Sequence, residues 1–146
     1  MTIYIASDHG GFELKNFLVK ELKNNGFVVE DTGPFEYNAL DNYPETTKEA
    51  LKKIQENPKD RAILICRNGV GVNIFANRHK NVRAGLSWET RHAKSHLLDD
   101  NTNVLTLPAD YVDKELATKI AIEWLKTEFS REDRHIKRIE QIEDLS

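Results

Sequence analysis

The sequence predicts an α/β fold built on one parallel sheet. Short runs rich in β-branched residues alternate with longer amphipathic stretches along the whole chain, which is typical of βαβ units. The run Ala62-Ile63-Leu64-Ile65 is apolar without interruption, as expected of a strand that helices cover on both faces. No linker divides the 146 residues, so we expect a single domain over positions 1–146.

Five runs carry the strand pattern, at positions 2–7, 27–31, 61–66, 83–86 and 103–107. The longest irregular piece, 32–42, contains Gly33-Pro34 and is expected to be a surface loop. It separates the second strand from the second helix.

Apolar residues spaced by three and four predict the helices between these strands. The first covers 11–24 and ends at Asn25-Gly26, while the second begins at Pro44 and stops at Asn57-Pro58. Further helices are predicted over 71–78, 89–99, 113–126 and 131–143. The last carries a narrow stripe of isoleucines among charges, so we expect it to dock on a surface of this subunit or of a neighbour.

Composition excludes several classes of protein. The formal net charge is −3, which argues against a nucleic-acid binder. No apolar run approaches the ~20 residues of a membrane span, and the N-terminus lacks a basic signal-peptide region, so we expect a cytoplasmic protein. Cys66 is the single cysteine, which rules out an intramolecular disulfide and a cysteine-based zinc site.

Chemistry is expected at the carboxyl ends of the strands, where open parallel sheets bind ligands. Asp8-His9-Gly10-Gly11-Phe12 follows the first strand, with an acid, an imidazole and glycines that let a ligand approach the backbone. The alternative, that Asp8 caps the helix and His9 is a solvated loop residue, is about equally favoured.

Cys66 ends the third strand and precedes the turn Arg67-Asn68-Gly69-Val70-Gly71. A thiol there faces the positive end of a helix dipole, which favours thiolate and makes it usable as a base or nucleophile. The turn matches neither the phosphate loop nor the full dinucleotide fingerprint. On composition alone, a small apolar side chain at the edge of the core is the more frequent fate of a lone cysteine.

The predicted C-terminal helix places Arg134 and Arg138 on one face, at a spacing that lets two guanidiniums fork around a phosphate. The alternative is a solvated basic stripe paired with nearby acids. His92 and His96 share a similar spacing, but no acidic metal motif accompanies them, so we expect no metal site.

Taken in order, these clusters and several shorter ones resemble one known family. The matching residues are Asp8-His9-Gly10-Gly11-Phe12, Tyr43-Pro44, Cys66 with Gly69-Val70-Gly71 and Ala76-Asn77, Arg83-Ala84, Asn103-Val104-Leu105, and Arg134-His135 with Arg138. Together they resemble the family of ribose-5-phosphate isomerase B and galactose-6-phosphate isomerase over essentially the whole chain. The resemblance implies a Rossmann-like, three-layer α/β/α sandwich, working as a homodimer or tetramer with its C-terminal helix and active sites at a subunit interface.

The resemblance also implies aldose–ketose interconversion of a sugar phosphate through an enediolate, without metal or organic cofactor. Cys66 would be the base, since the glutamate that some members use falls in the neighbourhood of Val72-Asn73 here. Asn68 and the nearby amides would hold the enediolate oxygen. His9, Arg134 and Arg138 would bind the phosphate. The expected substrate contacts are Asp8, His9, Tyr43, Arg67, Gly69, Gly71, Asn73, Asn77 and Asn101.

This chain departs from the family at three places. Arg67 and Asn68 stand where the family usually has glycine and threonine, and Asp99 stands where it has the histidine that opens the sugar ring. Asp99 with a raised pKa, or His96 on the same helical face, would have to take that role. Asp110 replaces a phosphate-binding arginine, whose charge Arg67 would supply.

The sequence therefore predicts a sugar-phosphate isomerase, acting first on ribose 5-phosphate and ribulose 5-phosphate. A hexose 6-phosphate or a tetrose phosphate is the alternative substrate. A non-catalytic phosphosugar-binding module is the alternative from another class. A receiver-type signalling domain is less favoured, because one acid stands beside His9 and Leu107-Pro108-Ala109 offers no lysine after the last strand.

Overall fold

Five parallel strands form a single sheet in the computed structural model, which describes residues 1–145. The strands are β1 (Thr2–Ser7), β2 (Val28–Gly33), β3 (Arg61–Cys66), β4 (Ala84–Leu86) and β5 (Val104–Pro108), in the spatial order β2-β1-β3-β5-β4. All five predicted strands are confirmed. β2 ends later than expected, at Gly33, because its pairing with β1 continues through an irregularity to Ala6 opposite Gly33. The connecting loop is therefore 34–42.

Six α-helices connect or follow these strands in the described residues. They are α1 (Phe12–Asn24), α2 (Tyr43–Glu56), α3 (Val70–Asn77), α4 (Thr90–Asp100), α5 (Lys114–Lys126) and α6 (Asp133–Glu143). A 3₁₀ turn, His9–Gly11, precedes α1. Local sequence explains the starts of two helices, since Pro44 occupies the first turn of α2 and the Asp113 carboxylate at the start of α5 accepts from the Leu116 amide at 2.7 Å.

Two separate cores place helices on both faces of the sheet, which confirms the three-layer sandwich. Alternate residues of a strand point to opposite faces, so Ile63 and Ile65 pack with α1, α4 and α5, while Ala62 and Leu64 pack with α2 and α3. Both faces of β3 are thus buried, as its continuous apolar run predicts. Within residues 1–145, no helix has both the length and the apolar character needed to cross a bilayer.

The order of the strands determines where a ligand can enter. From β1 the chain moves to β2 on one side, and β3 returns to the other side of β1. A crevice opens at the carboxyl ends of two adjacent parallel strands where the winding reverses in this way. Asp8 follows β1 and Cys66 ends β3, so the topology brings the first two predicted clusters together.

Helix α6 lies apart from both cores. His135 is its one buried residue, and its Nδ1 lies 2.6 Å from Ser130 Oγ. At the other end of α6, Arg83 Nη1 donates to Glu143 Oε1 at 2.9 Å. Since Arg83 precedes β4, these contacts hold α6 near the amino edge of the sheet, opposite the crevice.

Candidate active site

A cavity of about 440 Å³ occupies the crevice at the carboxyl ends of β1 and β3. Asp8, His9 and Tyr43 line one side of it. Cys66, Arg67, Asn68 and Gly71 line the other. The structure therefore brings together seven of the predicted site residues from three separate parts of the chain.

Cys66 ends β3 at the floor of this cavity and is 4% exposed. Its Sγ lies 3.9 Å from Asn68 Oδ1, a weak contact for a thiol. The same Asn68 oxygen accepts from the Val70 amide at 3.0 Å, which fixes the side chain of Asn68 at the start of α3. Asn68 Nδ2 has no hydrogen-bond acceptor among residues 1–145, so this amide can donate to a bound oxygen.

Two glycines shape the turn that follows the thiol. Gly69 has a φ of +73°, and a Cβ there would lie 2.5 Å from Leu86 Cδ1 and 3.1 Å from the Pro108 nitrogen. A Cβ at Gly71 would lie 2.6 Å from Tyr43 Cζ, so glycine lets the Tyr43 ring rest on the first turn of α3. These contacts keep the backbone of the turn close to the cavity.

Replacing Gly69 by alanine is expected to lower the free energy of unfolding by about 2 kcal/mol, because both the left-handed backbone and the neighbouring strand ends oppose a Cβ. Gly26→Ala is the matched control, since Gly26 has a φ of +89° but nothing within 4 Å of a built Cβ. That variant should lose about 1 kcal/mol. Urea unfolding at one protomer concentration measures both losses. Equal losses would mean that the crowding at Gly69 contributes nothing.

Asp8 and His9 form the other wall of the cavity. Burial raises the pKa of the Asp8 carboxyl, although the Gly11 amide donates to it at 3.2 Å and opposes the shift. Asp41 Oδ1 accepts from both the backbone nitrogen and Nδ1 of His9, each at 2.8 Å. A carboxylate only accepts, so the proton of a neutral His9 ring lies on Nδ1 and its Nε2 is the free acceptor.

Asp41 is a functional candidate that sequence reasoning missed. Its second oxygen, Oδ2, is buried without a hydrogen-bond partner among residues 1–145. Asn42, Val70 and Ile74 also line the cavity. The sequence pattern placed Asp41 in a surface loop, and no local signal links it to His9, since the two residues are 32 positions apart.

Asn73 and Asn77 hold α3 against the sheet instead of lining the cavity. Asn73 Nδ2 donates to Thr106 Oγ1 at 3.0 Å. The Asn77 side chain accepts from the Ala84 amide at 2.8 Å and donates to the Ala84 carbonyl at 3.0 Å. Their amides are therefore engaged with β4 and β5, and within one chain they lie outside the cavity lining.

The predicted residues of α4 also lie outside the cavity within one chain. His96 is buried, and its Nδ1 lies 2.8 Å from Thr102 Oγ1. Burial lowers the pKa of His96 to about 4, with a smaller contribution from the nearby His92. Asp99 Oδ1 lies 3.8 Å from His135 Nε2, and the Asn101 carbonyl accepts from Arg83 Nε at 2.8 Å. Asp99 and Asn101 are thus at the amino edge of the sheet.

The two arginines of the C-terminal helix are exposed at that same edge. Arg134 Nε donates to Glu132 Oε2 at 2.8 Å, and Arg138 is exposed on the same helix. Neither lines the cavity that holds Cys66 and His9. One chain therefore does not bring the predicted phosphate-binding residues His9, Arg134 and Arg138 together.

The His92–His96 pair forms an edge-to-face ring contact, with centroids 5.5 Å apart. His92 also stacks on Trp88, with centroids 5.1 Å apart. Within the described residues 1–145, no three side chains of histidine, cysteine, aspartate or glutamate converge as a metal-binding group. The pair is accounted for by ring packing.

Comparison with known proteins identifies the family. A family model described as Ribose/Galactose Isomerase matches residues 3–142, nearly the whole chain. The chain belongs to this family. Two relatives illustrate the breadth of the family. The probable ribose-5-phosphate isomerase B of Mycoplasma pneumoniae is 40% identical to this chain, and the match covers 96% of this chain and 91% of the relative. The D-erythrulose-4-phosphate isomerase 2 of Mycolicibacterium smegmatis is 33% identical, and the match covers 97% of this chain and 95% of the relative.

Solved structures of the ribose/galactose isomerase family have the same fold. Ribose-5-phosphate isomerase B from Mycoplasma genitalium, with bound ribulose-5-phosphate, matches with a TM-score of 0.94 and 38% identity, over 99% of this chain and 95% of that one. A ribose 5-phosphate isomerase from Thermotoga maritima matches with a TM-score of 0.92 and 37% identity, over 98% of this chain and 97% of that one. The predicted Rossmann-like sandwich and the predicted family are thereby confirmed.

Proposed function

We propose that this chain interconverts ribose 5-phosphate and ribulose 5-phosphate. The observation that carries the proposal is the cavity itself, where a thiol, a glycine turn and a free Asn68 amide meet Asp8, His9 and Tyr43. The likeness to the Mycoplasma genitalium structure with bound ribulose-5-phosphate supports this choice of substrate.

In the proposed reaction, the Cys66 thiolate removes the proton from C2 of the open-chain aldose and returns it to C1. The electron pair of the broken C2–H bond forms the enediolate, whose developing negative oxygen accepts from Asn68 Nδ2 and from amides of the turn. A proton moves from the C2 hydroxyl to the oxygen at C1. The Asp8 carboxyl, whose pKa is raised by burial, contacts the sugar hydroxyls together with Tyr43.

Self-association is part of the proposal, because the predicted phosphate site is divided within one chain. His9 lines the cavity, whereas Arg134 and Arg138 are exposed at the amino edge of the sheet. A second copy in a homodimer or tetramer would bring its arginines to this cavity, and Asp99 and Asn101 with them. Sedimentation of the purified protein should give at least twice the mass of one chain, which is 16.8 kDa.

A cytoplasmic location belongs to the same proposal. The mechanism needs the thiol of Cys66 in its reduced form, which a reducing compartment maintains. No organic cofactor or metal has a step in this reaction, since the proton transfers use side chains that the cavity contains.

A substrate panel tests the function. We expect turnover of ribose 5-phosphate with a kcat/KM at least about tenfold above that of other sugar phosphates, because the length of the sugar sets the distance between its phosphate and the thiol. The likeness to the Mycolicibacterium smegmatis relative makes D-erythrulose 4-phosphate the second candidate, and galactose 6-phosphate the third. Binding of these compounds without turnover of any would overturn the isomerase proposal and favour a non-catalytic module.

A further inference from the structure

Arg67 is the single lysine or arginine that lines the cavity of one described chain. It follows Cys66 directly, so its position is tied to the end of β3. Its backbone carbonyl accepts from the Asp110 amide at 2.9 Å, which anchors the residue to the segment after β5.

Two contacts direct the side chain of Arg67. Its aliphatic part lies against Gly10, where a built Cβ would overlap Arg67 Cγ. Gly10 is next to His9, so the stem of Arg67 crosses the turn that carries this imidazole. The guanidinium lies 3.7 Å from Asp110 Oδ2, with the two side chains 60% and 48% exposed.

The guanidinium of Arg67 has unused hydrogen-bonding capacity. The 3.7 Å separation from Asp110 is an ion pair without a hydrogen bond. The Arg67 side chain donates no hydrogen bond to an acceptor within residues 1–145. The N–H donors of this planar fork are therefore available at the cavity, and such a fork suits the oxygens of a phosphate.

Within one chain, the charges of the cavity lining favour such a cation for an anionic ligand. Asp8 and Asp41 are the acidic residues of the lining, and Arg67 carries its one permanent positive charge. Without Arg67, no permanent positive charge of the lining would offset the carboxyl groups of Asp8 and Asp41 when a phosphate dianion enters from solvent. Arg134 and Arg138 of the same chain do not supply this positive charge, because they lie at the opposite edge of the sheet from the cavity.

We propose that Arg67 binds the phosphate of the substrate beside His9, from the same chain that supplies Cys66. The proposal rests on the proposed function for the identity of the ligand, a phosphate monoester of a sugar. Arg67 thus acts in binding, while the proton transfers at C1 and C2 do not involve it.

Arg67→Gln tests the proposal by a split between KM and kcat. We expect the KM for ribose 5-phosphate to rise about tenfold with kcat within about twofold, because a charge-assisted contact to the phosphate is equally present in the ground and transition states. The KM for the unphosphorylated sugar ribose should not change. Arg67→Lys should recover part of the loss. Arg78→Gln, the same change at an exposed residue after the far end of α3, is the matched control and should behave like the wild type.

Binding of inorganic phosphate gives a readout that does not depend on turnover. The dissociation constant from an NMR shift titration should rise about tenfold in Arg67→Gln and remain unchanged in Arg78→Gln. Equal affinities of wild type and Arg67→Gln would overturn the proposal, as would an equal rise in KM for ribose and its phosphate. If the wild type binds phosphate through Arg67 but turns over none of the sugar phosphates, the proposed function fails and this site stands.

Discussion

Replacing Cys66 by alanine is expected to lower kcat about 10³-fold, the range typical of losing a positioned general base. In the proposed reaction Cys66, at the floor of the cavity, removes the C2 proton, whereas Asp8 lies on the opposite wall and Asp41 is engaged with His9. The KM for ribose 5-phosphate should change little, because Cys66 does not contact the phosphate in the proposed arrangement.

Two measurements guard this result against a folding defect. Cys66 packs in the core beside α2 and α3, so circular dichroism and the midpoint of urea unfolding should be compared with those of the wild type. Because the chain has a single cysteine, iodoacetamide should inactivate the wild type with one alkyl group per chain. A Cys66→Ala variant that folds and retains wild-type kcat would contradict the role of the thiol.

The fold was predictable because the strands and helices follow from local sequence patterns, namely apolar runs and residues that start helices. The apolar run in β3 needs helices on both faces, and Pro44 sets the start of α2. From these elements alone, the rule for parallel sheets brings Asp8 and Cys66 to one edge. The late end of β2 was missed because it depends on pairing with β1, which residues 32 and 33 do not reveal by themselves.

The site was predictable only where its residues adjoin strand ends. Asp41 reaches His9 through the path of loop 34–42, which has no periodic pattern from which to infer its course. The place of α6 also depends on tertiary contacts, through the buried His135 and the Arg83–Glu143 pair. The sequence therefore indicated which arginines lie on α6, but their separation from the cavity within one chain came from the fold.

Lowering the pH from 6.5 to 4 is expected to destabilise the protein by about 3 kcal/mol through His96 alone. Burial beside Gly85 and Thr102 lowers the pKa of His96 from 6.5 to about 4, with a smaller contribution from His92. Between these two pH values the unfolded chain binds a proton at His96 and the native chain does not. The stability that His96 contributes is therefore present above pH 6.5 and is lost as the pH falls towards 4.

His96→Gln should remove this part of the pH dependence, whereas His92→Gln on the exposed face of the same helix should leave most of it. The measurement is the free energy of unfolding in urea at several pH values between 7 and 4, at one protomer concentration. Any loss of stability that the substitution causes equally at every pH cancels, because only the change in the free energy of unfolding with pH is compared. Parallel curves for wild type and His96→Gln would contradict the lowered pKa. If the stability curves of wild type and His96→Gln diverge as expected, His96 is neutral at pH 7 and has no imidazolium proton to donate during ring opening. The role of proton donor in ring opening would then fall to Asp8 or Asp99.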